Sequence, residues 1–90
     1  MVGQFAVSLA GHDQNKVYII LKEDQEYVYL ADGVIRLTDC PKRKNKKHIQ
    51  IVKQDAPEIG EKLRNGESVK NEEIKRAIRI YIGRKMNVKS

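Results

Sequence analysis

The sequence predicts a small, mainly β fold, an antiparallel barrel or curled sheet, followed by C-terminal helices. Three observations predict it. The first fifty residues hold four or five short runs in which alternate positions are apolar, the period of a strand. The connections between these runs are too short for crossover helices, so neighbouring strands must run antiparallel. Beyond residue 54 the apolar spacing changes to three and four, the period of a helix. Ninety residues leave room for one ordinary domain. The chain therefore divides into a barrel at residues 1–54 and a helical extension at residues 55–90, expected to pack on the barrel because so short a barrel is poor in core.

The first strand is expected over Gln4 to Ala10, with Phe5, Val7 and Leu9 on its core face. Gly11-His12-Asp13-Gln14-Asn15 has no apolar residue and reads as a turn, with Asn15 suited to the left-handed conformation. Val17, Ile19 and Leu21 mark the second strand, with Tyr18 and Lys22 opposite. The polar stretch Lys22 to Glu26 reads as a hairpin loop, after which Val28 and Leu30 alternate with Tyr27, Tyr29 and Ala31. Asp32-Gly33 is the dipeptide of a two-residue hairpin, and a strand is expected to resume over Val34 to Leu37. The run Lys42-Arg43-Lys44-Asn45-Lys46-Lys47 is expected as a projecting loop. A last strand follows over His48 to Lys53, with Ile49 and Ile51 facing one way.

In the extension, Asp55-Ala56-Pro57-Glu58 has the makings of a helix start, with Asp55 as N-cap, and Asn65-Gly66 supplies the stop. A second helix begins after Asn71, with Glu72 and Glu73 at its positive end. Ile74, Ala77, Ile78, Tyr81 and Ile82 form its apolar stripe, and Lys75, Arg76 and Arg79 lie on the other side.

Charge narrows the function. The chain is formally +6, with a pI near 9.6. Residues 1–35 are net −3, residues 36–53 net +6, residues 54–69 net −2 and residues 70–90 net +5. The five cations between Lys42 and Lys47 repel one another, and a polyanion relieves that repulsion. Nucleic acid is the abundant polyanion, ahead of acidic proteins and anionic membrane. No apolar run approaches the roughly 20 residues of a membrane span, and the N-terminus lacks a signal-peptide pattern. With Cys40 as the single cysteine, a reducing, cytoplasmic location is expected.

The stretch Phe5 to Asp13, continued by Lys16-Val17-Tyr18-Ile19-Ile20, resembles a KOW motif, a strand–loop–strand with alternating apolar residues around a glycine, here Gly11. With Tyr27 to Gly33 and Pro41 to Ile49, the pattern over residues 3–53 is similar to the KOW-domain RNA-binding proteins of Firmicutes. Those are related to the archaeal and eukaryotic large-subunit ribosomal protein L-fourteen-e. Many KOW motifs carry a second glycine late in the loop, where this chain has Gln14-Asn15.

The resemblance implies an SH3-like barrel that binds RNA, usually ribosomal RNA, without catalysis. The RNA-binding residues expected from the basic run, its extensions and the turn are Gly11, His12, Lys16, Arg36, Lys42, Arg43, Lys44, Lys46, Lys47, His48 and Lys53. Arg76, Arg79, Arg84 and Lys85 make a second patch, which contacts the same RNA if the helix folds alongside the loop. Tyr18, Tyr27 and Tyr29 lie opposite the expected core face and are candidates for stacking on unpaired bases. The expected partner is large-subunit ribosomal RNA, and the free chain is expected to be a monomer.

Other chemistry finds less footing. His12, Cys40 and His48 lack the close ligand pairs of a zinc site, so no metal is expected. His12 and Asp13, with Ser8 nearby, have no accompanying oxyanion hole or phosphate cradle. Asp13 is instead expected to accept loop amide hydrogen bonds. Cys40 reads as a small residue entering a loop. No enzymatic activity, cofactor, small-molecule substrate or membrane partner is expected. The alternative to RNA is an SH3-like interaction module that docks an acidic protein, and duplex DNA ranks third because no helix-turn-helix is present.

Overall fold

The computed structural model describes residues 2–87, and within residues 53–55 and 85–87 it describes the backbone alone. Five strands, β1 (Gln4–Ser8), β2 (Val17–Glu23), β3 (Tyr27–Ala31), β4 (Lys42–Asn45) and β5 (Ile49–Asp55), form one antiparallel sheet in the order β4-β3-β2-β1-β5. A single 3-10 turn, Lys46–His48, joins β4 to β5. Helices α1 (Pro57–Arg64) and α2 (Asn71–Asn87) follow. Irregularities in register between Ile20 and Lys22, and between Gln4 and Ala6, bend the strands they interrupt. The sheet curls into a half-barrel, a shape compatible with a small SH3-like barrel.

Curling gives the sheet two buried faces. Ala6, Tyr18, Ile20, Val28, Leu30 and Ile49 form a cluster made of strand residues alone, with Ile51 packed against it, so this is the concave interior. Phe5, Ile19 and Ala31 project from the convex face and meet Ile59 of α1 and Ile74 and Tyr81 of α2. The Phe5 and Tyr81 rings stack with centroids 4.6 Å apart. The extension therefore packs on the sheet, as the shortage of core in the strands alone requires.

Two buried faces also explain where the simple alternation fails. Phe5 faces the helices, yet its neighbours Ala6 and Ser8 on the other face are fully buried too. Val7 is half-buried and Leu9, beyond the strand end, is 45% exposed. Tyr18 belongs to the interior at 2% exposure, so it is no surface stacking residue.

The larger correction concerns residues 32–47. No strand resumes over Val34 to Leu37. The Asp32 carboxylate instead accepts the backbone N–H groups of Val34, Ile35 and Arg36, wrapping those residues into a tight loop. Asp32-Gly33 thus opens a ten-residue connection rather than a two-residue hairpin. The lysine run is not a projecting loop. Lys42 to Asn45 is strand β4, paired with β3 in the register Leu30↔Lys42 and Val28↔Lys44. Lysine lacks strand propensity, but an edge strand tolerates it, and charged residues there discourage further pairing.

The helices follow their sequence signals closely. Ala56, not Asp55, is the N-cap of α1; its methyl side chain cannot cap, and Pro57 at the first position leaves one fewer amide to satisfy. At the other end, the Gly66 N–H donates to the Leu63 carbonyl and the Glu67 N–H to the Lys62 carbonyl, closing the helix after Asn65. Lys62 and Glu73, 2.8 Å apart, tie α1 to α2. The apolar stripe of α2 lands on the sheet through Ile74, Ala77, Ile78 and Tyr81, while Ile82 remains 40% exposed. No described helix is long and apolar enough to cross a membrane.

Candidate nucleic-acid interface

The β1–β2 turn, residues 9–16, is the centre of the candidate interface. Its backbone closes on itself: Asn15 N–H donates to the Ser8 carbonyl, Gln14 N–H to Gly11 and Lys16 N–H to Asp13. Gly11 and Asn15 both adopt positive φ, 87° and 72°, so the asparagine takes the left-handed role at the loop's end. Gly11, His12, Gln14 and Asn15 are exposed.

Beneath the turn lies a polar network that the sequence reading did not foresee. The Asp13 carboxylate accepts hydrogen bonds from Ser8 Oγ (2.9 Å), Tyr18 OH (2.8 Å), Lys42 Nζ (2.7 Å) and Lys44 Nζ (2.9 Å). Lys44 Nζ donates further to Ser8 Oγ and to the Ala10 carbonyl. Asp13 therefore takes side-chain donors, not the loop amides. Burial alone would raise its pKa, but the bonds from Lys42, Lys44, Tyr18 and Ser8 outweigh burial and hold it far below the carboxylate range. Burial pushes the Tyr18 hydroxyl well above its ordinary 10.0, and its bond to the Asp13 anion adds to that rise. The signal was present: Lys42 and Lys44 alternate with Arg43 and Asn45, so one lysine pair faces inward wherever this segment is a strand.

The basic run thus divides by direction. Lys42 and Lys44 point into the network, with side chains 27% and 10% exposed. Lys46 pairs with Glu23 at 3.1 Å and lowers the pKa of that carboxyl. Arg43 and Lys47 face solvent. The Arg43 guanidinium lies 4.6 Å from the centre of the Tyr27 ring, and Lys22 Nζ lies 5.7 Å from that of Tyr29. Tyr29 OH donates to Asp24, an exposed carboxylate that also caps the β2–β3 turn. Both rings are half-buried on the convex face, close to a loop rich in carboxylates.

Two elements flank the β1–β2 turn. On one side, the Leu9 N–H donates to the His48 carbonyl at 2.8 Å, which sets exposed Lys47 and His48 beside the turn. On the other side, Asn15 and Lys16 share a groove with Lys75 and Arg79 of α2. Lys16 is bound to Asp32 at 2.6 Å across that groove. Arg36 is half-buried in the Asp32 loop. Arg76 and Arg84 diverge from this arrangement and line the cleft between α1 and α2. The side chains of Lys53 and Lys85 lie outside the described residues. His12, Cys40 and His48 do not gather, and among the described residues no His, Cys, Asp and Glu cluster is fit to hold a metal ion. Comparison with known protein families and with curated proteins finds no match to this chain.

Proposed function

We propose that this chain is an RNA-binding protein of the KOW type, an SH3-like barrel related in its strand–turn–strand to the ribosomal protein L-fourteen-e, and that it associates with large-subunit ribosomal RNA. One observation carries the reading. Asp13, Glu23 and Asp32 hold Lys42, Lys44, Lys46 and Lys16 in ion pairs, and the cations around the β1–β2 turn with no ion-pair partner among the described residues flank it on both sides: Lys47 from the 3-10 turn, Lys75 and Arg79 from α2. The turn itself exposes Leu9, Gly11, His12, Gln14 and Asn15, and hydrogen bonds from Ser8 and Lys44 tie it down from below. Such a surface suits RNA, whose accessible features are phosphates, 2′-hydroxyls and unpaired bases. The reading includes no catalytic step.

The decisive measurement is binding to large-subunit ribosomal RNA fragments across a salt series. The triple substitution Lys47→Ala, Lys75→Ala, Arg79→Ala is expected to weaken binding to all fragments and reduce the slope of log K against log salt by roughly 2, since each lost phosphate contact removes about 0.7 to 0.9. Replacing Arg43 as well extends the loss by about one further contact. An unchanged slope overturns the assignment. Crosslinking in cells supplies the second arm. A cluster of crosslinks in large-subunit ribosomal RNA supports the reading, and a nuclease-resistant complex with an acidic protein replaces it with protein docking.

A further inference from the structure

The groove between the β1–β2 turn and α2 combines cations with an apolar lining. Val34 of the Asp32 loop is 59% exposed and Ile82 of α2 is 40% exposed, and both border the groove together with half-buried Ile78. Lys75 and Arg79 stand at its rim, with no ion-pair partner among the described residues, and Asn15 supplies an amide at its turn end. The groove encloses about 430 Å³. Aliphatic side chains set beside cations call for an occupant with an apolar face and negative charge close beside it.

We infer that this groove receives a single unpaired nucleotide of the bound RNA, its base lying on Val34, Ile78 and Ile82 and its flanking phosphates on Lys75 and Arg79. The inference rests on the RNA reading above and adds to it a class of RNA: one with an extruded base, not a continuous duplex. Two features favour a nucleotide over an acidic peptide. The groove is continuous with the β1–β2 turn, so a strand crossing the turn passes directly over it. Its cations also sit beside the apolar lining, as phosphates sit beside a base, and unpaired bases are the part of RNA that proteins can reach and read. The Arg79 guanidinium adds a planar cation on which a base can stack. The Tyr27 and Tyr29 surface is the weaker candidate, because exposed Asp24 holds the Tyr29 hydroxyl, whereas Asp32, the carboxylate that lines the groove, is paired with Lys16 at 2.6 Å.

The test compares three short RNA hairpins of one sequence: fully paired, with one bulged nucleotide (each of the four bases in turn), and with an abasic residue at the bulge. Tighter binding, by about tenfold, to at least one bulged hairpin than to its abasic counterpart is expected. The exposed-site substitutions Val34→Ser and Ile82→Ser are expected to abolish that preference while leaving the salt slope unchanged, because they remove no charge. A 4-thiouridine at the bulge is expected to crosslink to the Val34 loop or to α2. Binding of all three hairpins alike, or a preference that survives both serine substitutions, overturns the inference and leaves RNA binding standing. Failure to bind any hairpin or ribosomal fragment overturns both.

Discussion

Replacing Asp13 by alanine is expected to lower folding stability by about 3–5 kcal/mol, the cost of stripping the anion from a buried ion pair. Asp13 and Lys44 have side chains only 11% and 10% exposed, so the lysine left behind would keep Ser8 and the Ala10 carbonyl but have no counter-charge. Lys42, at 27% exposure, can turn toward water and costs less. Lys44→Met is expected to be milder, about 1–3 kcal/mol, because Asp13 keeps Lys42, Tyr18 and Ser8. The double substitution Asp13→Leu, Lys44→Met removes both charges and is expected to recover much of the loss of Asp13→Ala. Urea unfolding followed by circular dichroism measures all three. Equal stabilities would mean that these charges do not meet in the folded protein.

The same network sets a pH dependence. The native Asp13 pKa lies below its ordinary 3.8, so the unfolded chain takes up the proton first as pH falls. The stabilisation is therefore complete above about pH 5 and is lost progressively as pH drops through 3.8 toward the native value. Asp32, where bonds from Lys16 and the Val34 and Arg36 amides outweigh burial, shifts the same way and steepens the acid limb. Stability measured between about pH 5 and pH 3 should fall less steeply in Asp13→Asn than in the parent chain.

How much of this was legible follows from what each segment's pattern could carry. The helices were legible because their signals are local: Pro57 at a helix start, Asn65-Gly66 at a stop, and an apolar stripe from Ile74 to Tyr81 whose landing place any sheet could provide. The β1–β2 turn was legible for the same reason, down to the left-handed Asn15. Alternation, however, names one buried face, and here both are buried, so Tyr18 was assigned to solvent when it closes the interior. The lysine run failed differently. Five cations read as a loop until a carboxylate 29 residues away from Lys42 in sequence is brought beneath them, and only tertiary structure does that. The candidate site shrank and moved accordingly, from the whole run to Lys47 and the α2 cations on either side of the turn.

Gly33→Ala is expected to be the second large effect, and it separates two costs that usually arrive together. Gly33 and Gly66 both have positive φ of nearly equal size, +79° and +73°. An alanine at either pays the strain of a left-handed residue, about 1–2 kcal/mol. Around Gly66 nothing lies within 4 Å of the added methyl, so strain is the whole cost there. At Gly33 the methyl would run into the Asn71 carbonyl oxygen and sit 2.9 Å from the Lys75 amide nitrogen, both backbone atoms at the start of α2. Backbone in a helix cannot swing aside as a side chain can, so α2 must shift as a body or the loop must open. The expected total is roughly 3 kcal/mol or more, against about 1 for Gly66→Ala. The start of α2 is also held to this loop by the Thr38 N–H, which donates to Asn71 Oδ1 at 2.7 Å. Moving the helix therefore displaces Lys75 and Arg79 from the turn, while Lys47 and His48, fixed through Leu9, stay where they are. Under conditions where Gly33→Ala remains folded, it should lose the discrimination between bulged and abasic hairpins yet keep part of its salt-dependent affinity. Gly66→Ala, destabilised only by strain, should keep both. Equal behaviour of the two variants in both stability and binding would mean that α2 does not rest on Gly33, and the groove would then have no fixed wall.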